Sequence, residues 1–290
     1  MKKIFLFIAV CLAVMKGCAP PVSDDDEARQ LTIIYTDWAE SVALTNMVAL
    51  LLEERLDYEV VMKLAGADTV FMEIASGDAD IFADAWLPLT HEGFMKKYGE
   101  ELEDLGPNYN YARTGLVVPA YADMEYIGDL KQHPGLPVVG IDGSAGIMEN
   151  AIAALDGYGL DNELLVLSDE EMSARVGEAI KRRAPVVFTG WEPHWLFYRY
   201  ELRYLEDPLG VFPGVEQIHT LARKGFREDH PRAATFFERM VLTEKQINEL
   251  LYEVLSNRDP VEGVRSWKEK NQTVVNRWVR GLRPEREKIM

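Results

Sequence analysis

Short β-branched runs alternate along the chain with longer stretches whose apolar residues recur every three or four positions. Leu44–Leu52 and Asp68–Ser76 show this helical spacing, and Asp37 or Ser41 is placed to cap the first of these helices. The strands are expected at Leu31–Tyr35, Tyr58–Met62 and Ile81–Ala83. Strand, helix, strand, helix, strand is the order that predicts a parallel sheet with helices on its faces.

The same alternation returns in the second half of the chain. We expect a crossing into a second lobe at Thr114–Pro119 and a return near Ile218. The strands expected between these points lie at Pro137–Ile141, Leu164–Leu167 and Pro185–Thr189. Helices are expected to close the chain at Pro231–Met240, Thr243–Ser256 and Pro260–Arg280. Two helix starts have the spacing of a capping box, Ser168 with Glu171 and Thr243 with Gln246.

These elements predict an α/β fold with two lobes, each a mixed, mainly parallel sheet flanked by helices. Lobe 1 is expected to contain residues 31–116 and 219–290, and lobe 2 residues 117–218. A chain of 290 residues is long enough to bury a core in each lobe. The cleft between two such lobes is the usual place for a small ligand.

The first 17 residues are excluded from this fold because two lysines and a short apolar run are typical of an export signal. Gly17-Cys18 resembles the end of a bacterial lipobox, which predicts a lipid-modified Cys18 and membrane attachment through it, although Lys16 departs from that pattern. Residues 18–30 contain two prolines and an acidic run, and we interpret them as a flexible tether. The protein is therefore expected outside the cytoplasm, either periplasmic or anchored as a lipoprotein.

Composition excludes several classes of protein. The formal net charge of −17 argues against nucleic acid as a partner, since phosphate binding needs a basic face. The 48% hydrophobic and 27% charged content is that of an ordinary globular protein. Because Cys11 lies inside the export signal, the mature chain keeps only Cys18 and has no intramolecular disulfide.

Trp38, Trp86 and Trp191 share a setting, because each follows a predicted strand and lies in a polar loop. Aromatic faces gathered around one point bind a quaternary ammonium group, which is charged but has no N–H donor. Taken singly, Trp86 is as well explained as a core anchor. Trp267 and Trp278 lie on predicted helices, and we interpret them as packing or surface residues.

The turn at Asp142–Met148 is suited to an anion. Gly143 and Gly146 allow a close approach to the backbone, and the N–H groups at the start of the following helix favour a carboxylate. A plain glycine turn explains the same residues equally well. His91 is a candidate further donor to the carboxylate. A methylated ammonium beside a carboxylate is the chemistry of a betaine.

Several ordered motifs resemble the glycine betaine/proline betaine substrate-binding proteins of bacterial ABC importers, which have a periplasmic-binding-protein fold. The segments that carry the resemblance are Asp37–Glu40, Ala85–His91, Gly140–Asp142, Gly146–Met148, Thr189–Trp195, Leu205–Pro208 and Ala222–Phe226. It implies that Trp38, Trp86 and Trp191 surround the trimethylammonium group, and that His91 with the N–H groups of Gly146 and Ile147 binds the carboxylate. Asp142–Ala145 departs from the family's Asp-Pro-Gly-Ser.

The resemblance implies a monomeric capture protein that delivers an osmolyte to an ABC permease in the inner membrane. No catalytic motif, cofactor or metal site is expected. Asp37, Glu40, Asp84 and Glu192 are interpreted as loop and supporting groups rather than direct contacts with the cation. The alternatives are another methylated onium ligand (choline, carnitine or dimethylsulfoniopropionate), a sensor that presents the ligand to a receptor, or an exported hydrolase.

Overall fold

The computed structural model describes residues 30–282, so the predicted export signal, Cys18 and nearly all of the tether lie outside the described residues. The strands are Gln30–Tyr35 (β1), Glu59–Leu64 (β2), Ile81–Leu87 (β3), Leu102–Pro119 (β4), Val138–Val139 (β5), Leu164–Leu165 (β6), Val187–Glu192 (β7), Leu202–Tyr204 (β8) and Glu216–Arg223 (β9). The helices are Ala39–Leu56 (α1), Ala67–Ser76 (α2), Glu92–Tyr98 (α3), Gly146–Gly157 (α4), Asp169–Lys181 (α5), Trp195–Arg199 (α6), Phe226–Asp229 (α7), Pro231–Arg239 (α8), Glu244–Ser256 (α9), Pro260–Lys270 (α10) and Gln272–Trp278 (α11).

The strands form a mixed sheet in the order β2-β1-β3-β9-β4-β7-β5-β6, and β8 also pairs with β4. Pairing is parallel between β2, β1 and β3 and between β7, β5 and β6. It is antiparallel wherever β4 or β9 takes part. The α/β architecture with helices flanking a sheet agrees with the prediction.

The long strand β4 joins the two sides of the sheet. Its first part, from Leu102 to Ala112, pairs with β9, and its last part, from Arg113 to Pro119, pairs with β7 and β8. We call β2, β1, β3 and β9 the β1 side, and β7, β5 and β6 the β7 side. The connection is thus a continuous strand, where the sequence pattern indicates only a crossing at Thr114–Pro119.

Several predicted elements differ from the structure in their extent, among them β3, β7 and the last predicted helix. The strands β5 and β6 are also shorter than predicted. The strand predicted at Ile81–Ala83 continues to Leu87, because antiparallel pairing with β9 supplies hydrogen-bond partners as far as Leu87. Pairing with β4 likewise extends β7 to Glu192. The helix predicted at Pro260–Arg280 is divided into α10 and α11 at Asn271.

Local signals and burial agree with the sequence in other places. Both capping boxes form, at Ser168 before α5 and at Thr243 before α9. Trp267 and Trp278 are fully buried and stack on each other with ring centroids 6.2 Å apart, so these two tryptophans are packing residues. Among residues 30–282, no helix has both the length and the apolar character that crossing a bilayer requires.

Candidate ligand-binding site

One small cavity lies where the β1 side meets the β7 side. The side chains and backbone that line it belong to Trp38, Glu40, Trp86, Thr90, His91, Thr114, Ile141, Ala145, Gly146, Ile147 and Trp191. All the residues that the sequence analysis assigns to ligand binding are in this set. Trp38, Trp86 and His91 come from the β1 side, whereas Gly146, Ile147 and Trp191 come from β7 and the helix α4 that precedes it.

The three tryptophans reach the cavity from different kinds of element. Trp38 occupies the N-cap position of α1, as expected for a residue just after a strand. Trp86 and Trp191 lie within β3 and β7 rather than after them, which corrects the prediction. Each of the three is at least 95% buried. Because the rings are buried in a closely packed interior, they have little freedom to change rotamer.

Two of these tryptophans donate their indole N–H to a buried carboxylate. Trp191 Nε1 donates to Glu40 Oε2 over 2.8 Å, and Trp86 Nε1 donates to Asp84 Oδ1 over 3.0 Å. Burial and the nearby Asp84 carboxylate raise the pKa of Glu40 well above its usual range, against the hydrogen bond from Trp191. Burial raises the pKa of Asp84 to about 8. These two hydrogen bonds orient the rings and place acidic groups beside the cavity.

His91 is held as a neutral donor. Its Nδ1 accepts the backbone N–H of Trp86 over 2.9 Å, so the ring proton must lie on Nε2. Burial lowers the pKa of His91 to about 3, so that the imidazole is uncharged at neutral pH. Its ring stacks against Trp38 with centroids 6.0 Å apart. The histidine therefore offers one N–H to the cavity without adding a positive charge.

The start of α4 supplies further donors. The N-cap residue Ala145 makes no side-chain capping bond, so Gly146 and Ile147 present N–H groups without an intrahelical partner. Gly146 is needed for packing, since a Cβ placed there would lie 2.0 Å from the carbonyl oxygen of Thr90. The close approach brings α4 of the β7 side against the loop after β3.

Asp169 on α5 connects two segments next to the cavity. Its Oδ2 accepts the N–H of Ala39 at the start of α1 over 3.0 Å, so neither Asp37 nor Ser41 caps this helix. Its Oδ1 lies 3.2 Å from His194 Nε2, and the His194 ring packs edge-on against Trp191 at 4.5 Å. Burial alone would raise the pKa of Asp169, but the neighbouring His194 and the hydrogen bonds that the carboxylate accepts lower it below its usual value. A carboxylate on the β7 side thus fixes residues next to Trp38 and Trp191.

A comparison with protein families identifies the family of this chain. The family described as the substrate-binding domain of the ABC-type glycine betaine transport system matches residues 29–270. The chain belongs to this family. Its members are substrate-binding components of transport systems, consistent with a buried cavity lined by aromatic rings and hydrogen-bond donors.

Relatives and solved structures agree with the family. The glycine betaine/carnitine transport binding protein GbuC of Listeria monocytogenes is 35% identical over 157 residues, which are 53% of this chain and 52% of that protein. The aligned region thus spans about half the length of this curated relative. Lactococcal OpuAC in its closed form with glycine betaine is 31% identical, with a TM-score of 0.81, covering 87% of this chain and all of that one. ProX of Borrelia burgdorferi is 29% identical, with a TM-score of 0.83, covering 89% and 98%.

Several residues that line the cavity have no ligand-binding role predicted from the sequence. Glu40, which the sequence indicates as a supporting group, lines the cavity itself. Thr90, Thr114, Ile141 and Ala145 were not assigned to it at all. The Trp-x-Glu and Asp-x-Trp spacings at Trp38 and Trp86 are a usable signal for the two carboxylates. Thr114 has no such local signal, because only its strand pairing opposite Trp191 places it at the cavity.

Proposed function

We propose that this protein captures glycine betaine, or a closely related quaternary-ammonium osmolyte, outside the cytoplasm and delivers it to an ABC permease for import. The single observation that supports this most strongly is the convergence of three tryptophans and the donors of His91, Gly146 and Ile147 on one cavity. Facing aromatic rings attract a cation that has no N–H, and each is worth on the order of 0.5–2 kcal/mol. The N–H groups match the carboxylate at the other end of a betaine.

The two lobes in this proposal are residues 31–116 with 219–290, and residues 117–218. Ligand enters while the lobes are apart and is enclosed when they close, as in hinge-closing binding proteins. Glu40 with Trp191 and Ala39 with Asp169 are contacts that form between the lobes on closure. Cys18 anchors the chain to the membrane when it is lipidated, and the acidic tether allows the lobes to reach the permease.

A titration of residues 19–290 with glycine betaine tests the proposal. We expect saturable heat and a change in tryptophan fluorescence. Trp86→Ala should weaken binding by at least tenfold, whereas Trp195→Phe, which alters a tryptophan outside the cavity, should bind normally. Absence of binding to any betaine by the wild-type protein would contradict the proposed function.

Carnitine is a second candidate ligand, because the name of the Listeria relative includes it. Carnitine carries the same trimethylammonium and carboxylate groups on a longer chain. Choline has no carboxylate, so the donors of His91 and α4 predict weaker binding for it. Competition between glycine betaine and each of these compounds in the same titration ranks the candidates.

A further inference from the structure

Thr114 lies at the point where β4 passes from one side of the sheet to the other. The last pair with β9 joins Ala112 to Glu216, and the first pair with β7 joins Arg113 to Glu192. Thr114 itself is paired with Trp191 of β7. Ala112, Thr114 and Leu116 alternate along the strand, so their side chains lie on one face, which is buried. The Thr114 side chain lines the same cavity as the tryptophans, and only 4% of the surface of this residue is exposed.

The Thr114 hydroxyl differs from the other polar side chains of the cavity. Glu40 accepts the indole N–H of Trp191, Thr90 donates to Glu216, and His91 accepts the N–H of Trp86. The Thr114 Oγ1, by contrast, has no hydrogen-bond partner among residues 30–282. Each of the other three is thus engaged with the protein, and this hydroxyl is not.

An unpartnered buried hydroxyl costs roughly 1–3 kcal/mol, and an apolar isostere such as valine would avoid that cost. Such a group has a use when a ligand supplies the missing partner. We infer that the Thr114 hydroxyl donates a hydrogen bond to the carboxylate of the bound betaine, an inference that rests on the proposed function. The carboxylate is the partner because a quaternary ammonium group has neither an N–H nor a free lone pair.

This contact makes Thr114 a specificity-determining residue. The hydrogen bond raises the affinity for ligands that carry an acceptor next to the methylated ammonium group. It does not change the affinity for a methylated ammonium ion that has no acceptor. The hydrogen bond joins a neutral donor to a charged acceptor in a buried site, where such bonds are stronger than between neutral groups. The donor comes from β4, the strand that pairs with strands of both sides.

Two substitutions separate the hydroxyl from the shape of the side chain. Thr114→Val keeps the shape and removes the hydroxyl, and Thr114→Ser keeps the hydroxyl. Titrations of residues 19–290 with glycine betaine should show affinity weakened roughly 10- to 100-fold in Thr114→Val, the range expected for a bond to a charged group, and less than fivefold in Thr114→Ser. Tetramethylammonium, which has no acceptor, should bind the wild type and Thr114→Val equally.

The melting temperature without ligand distinguishes a ligand contact from a structural role. We expect Thr114→Val to melt at or above the wild-type temperature, since an unpartnered hydroxyl has been removed. The inference would be overturned if Thr114→Val bound glycine betaine with wild-type affinity. It would also be overturned if Thr114→Val lost as much affinity for tetramethylammonium as for glycine betaine. Either result would leave the proposed function intact. Failure of the wild type itself to bind glycine betaine would instead remove the proposed function on which the inference rests.

Discussion

At the scale of single residues, the site is built from groups whose charge state is set by burial. His91 is neutral because desolvation lowers its pKa to about 3, and its tautomer follows from the N–H of Trp86. Asp84 is shifted in the opposite direction, to about 8, because burial disfavours the carboxylate anion. The cavity therefore offers a neutral donor on one residue and acidic groups beside the tryptophan rings.

The raised pKa of Asp84 predicts a pH-dependent stability. Between its unfolded pKa near 4 and its folded pKa of about 8, the folded state holds a proton that the unfolded state has released. The free energy of unfolding should therefore fall as pH rises through this range, by at most about 1.4 kcal/mol per pH unit for one proton. Urea unfolding at a series of pH values measures this slope.

Asp84→Asn is the matched variant for this measurement. The amide keeps an acceptor for the indole N–H of Trp86 and does not ionise. Its free energy of unfolding should fall less between pH 5 and pH 8 than that of the wild type. Equal slopes in the two proteins would show that Asp84 does not hold a proton in the folded state.

At the scale of elements, helix starts do much of the positioning. The start of α4 presents free N–H groups to the cavity, and the start of α1 carries Trp38 and is capped from another element. The capping boxes at Ser168 and Thr243 involve residues three apart and are readable from sequence. The cap of α1 cannot be read from the sequence, because Asp169 is 130 residues away from Ala39.

Asp169→Ala tests whether that distant cap positions the cage. The change removes the acceptor for the Ala39 N–H and the partner of His194, and an N-cap loss typically costs about 1 kcal/mol. We expect a lower melting temperature together with at least fivefold weaker binding of glycine betaine.

Thr243→Ala is the control for this variant. Thr243 caps the start of α9 through the same kind of capping box, so its loss should lower stability by a similar amount. Binding of glycine betaine should remain normal, since Thr243 does not line the cavity. A parallel loss of affinity in both variants would indicate that general destabilisation, rather than the position of Asp169, weakens binding.

At the scale of the whole molecule, the cavity exists because two sides of the sheet are brought together. The bond from Trp191 to Glu40 and the approach of Gly146 to Thr90 join residues that are far apart in the chain. Among residues 30–282, β4 is the one strand that pairs with strands of both sides. This arrangement is suited to hinge motion, because few strands need to bend when the sides separate.

Closure on the ligand predicts a change in overall shape. Small-angle scattering of residues 19–290 should show a smaller radius of gyration with saturating glycine betaine than without it, because a ligand that binds the closed form shifts the population toward it. Trp86→Ala at the same ligand concentration should remain extended. A wild-type radius that does not change on ligand addition would contradict ligand-driven closure.

The amino-acid pattern by itself predicted the two capping boxes and most of the strands and helices, because these depend on neighbours a few residues away. It also singled out Trp38, Trp86 and Trp191, which the structure brings to one cavity. Only the tertiary structure decided how far β3 and β7 extend, since β9 and β4 supply their hydrogen bonds. It also decided which groups line the cavity beside the rings. Glu40, Asp169 and Thr114 meet their surroundings through strand order and contacts across the molecule, which a local pattern does not contain.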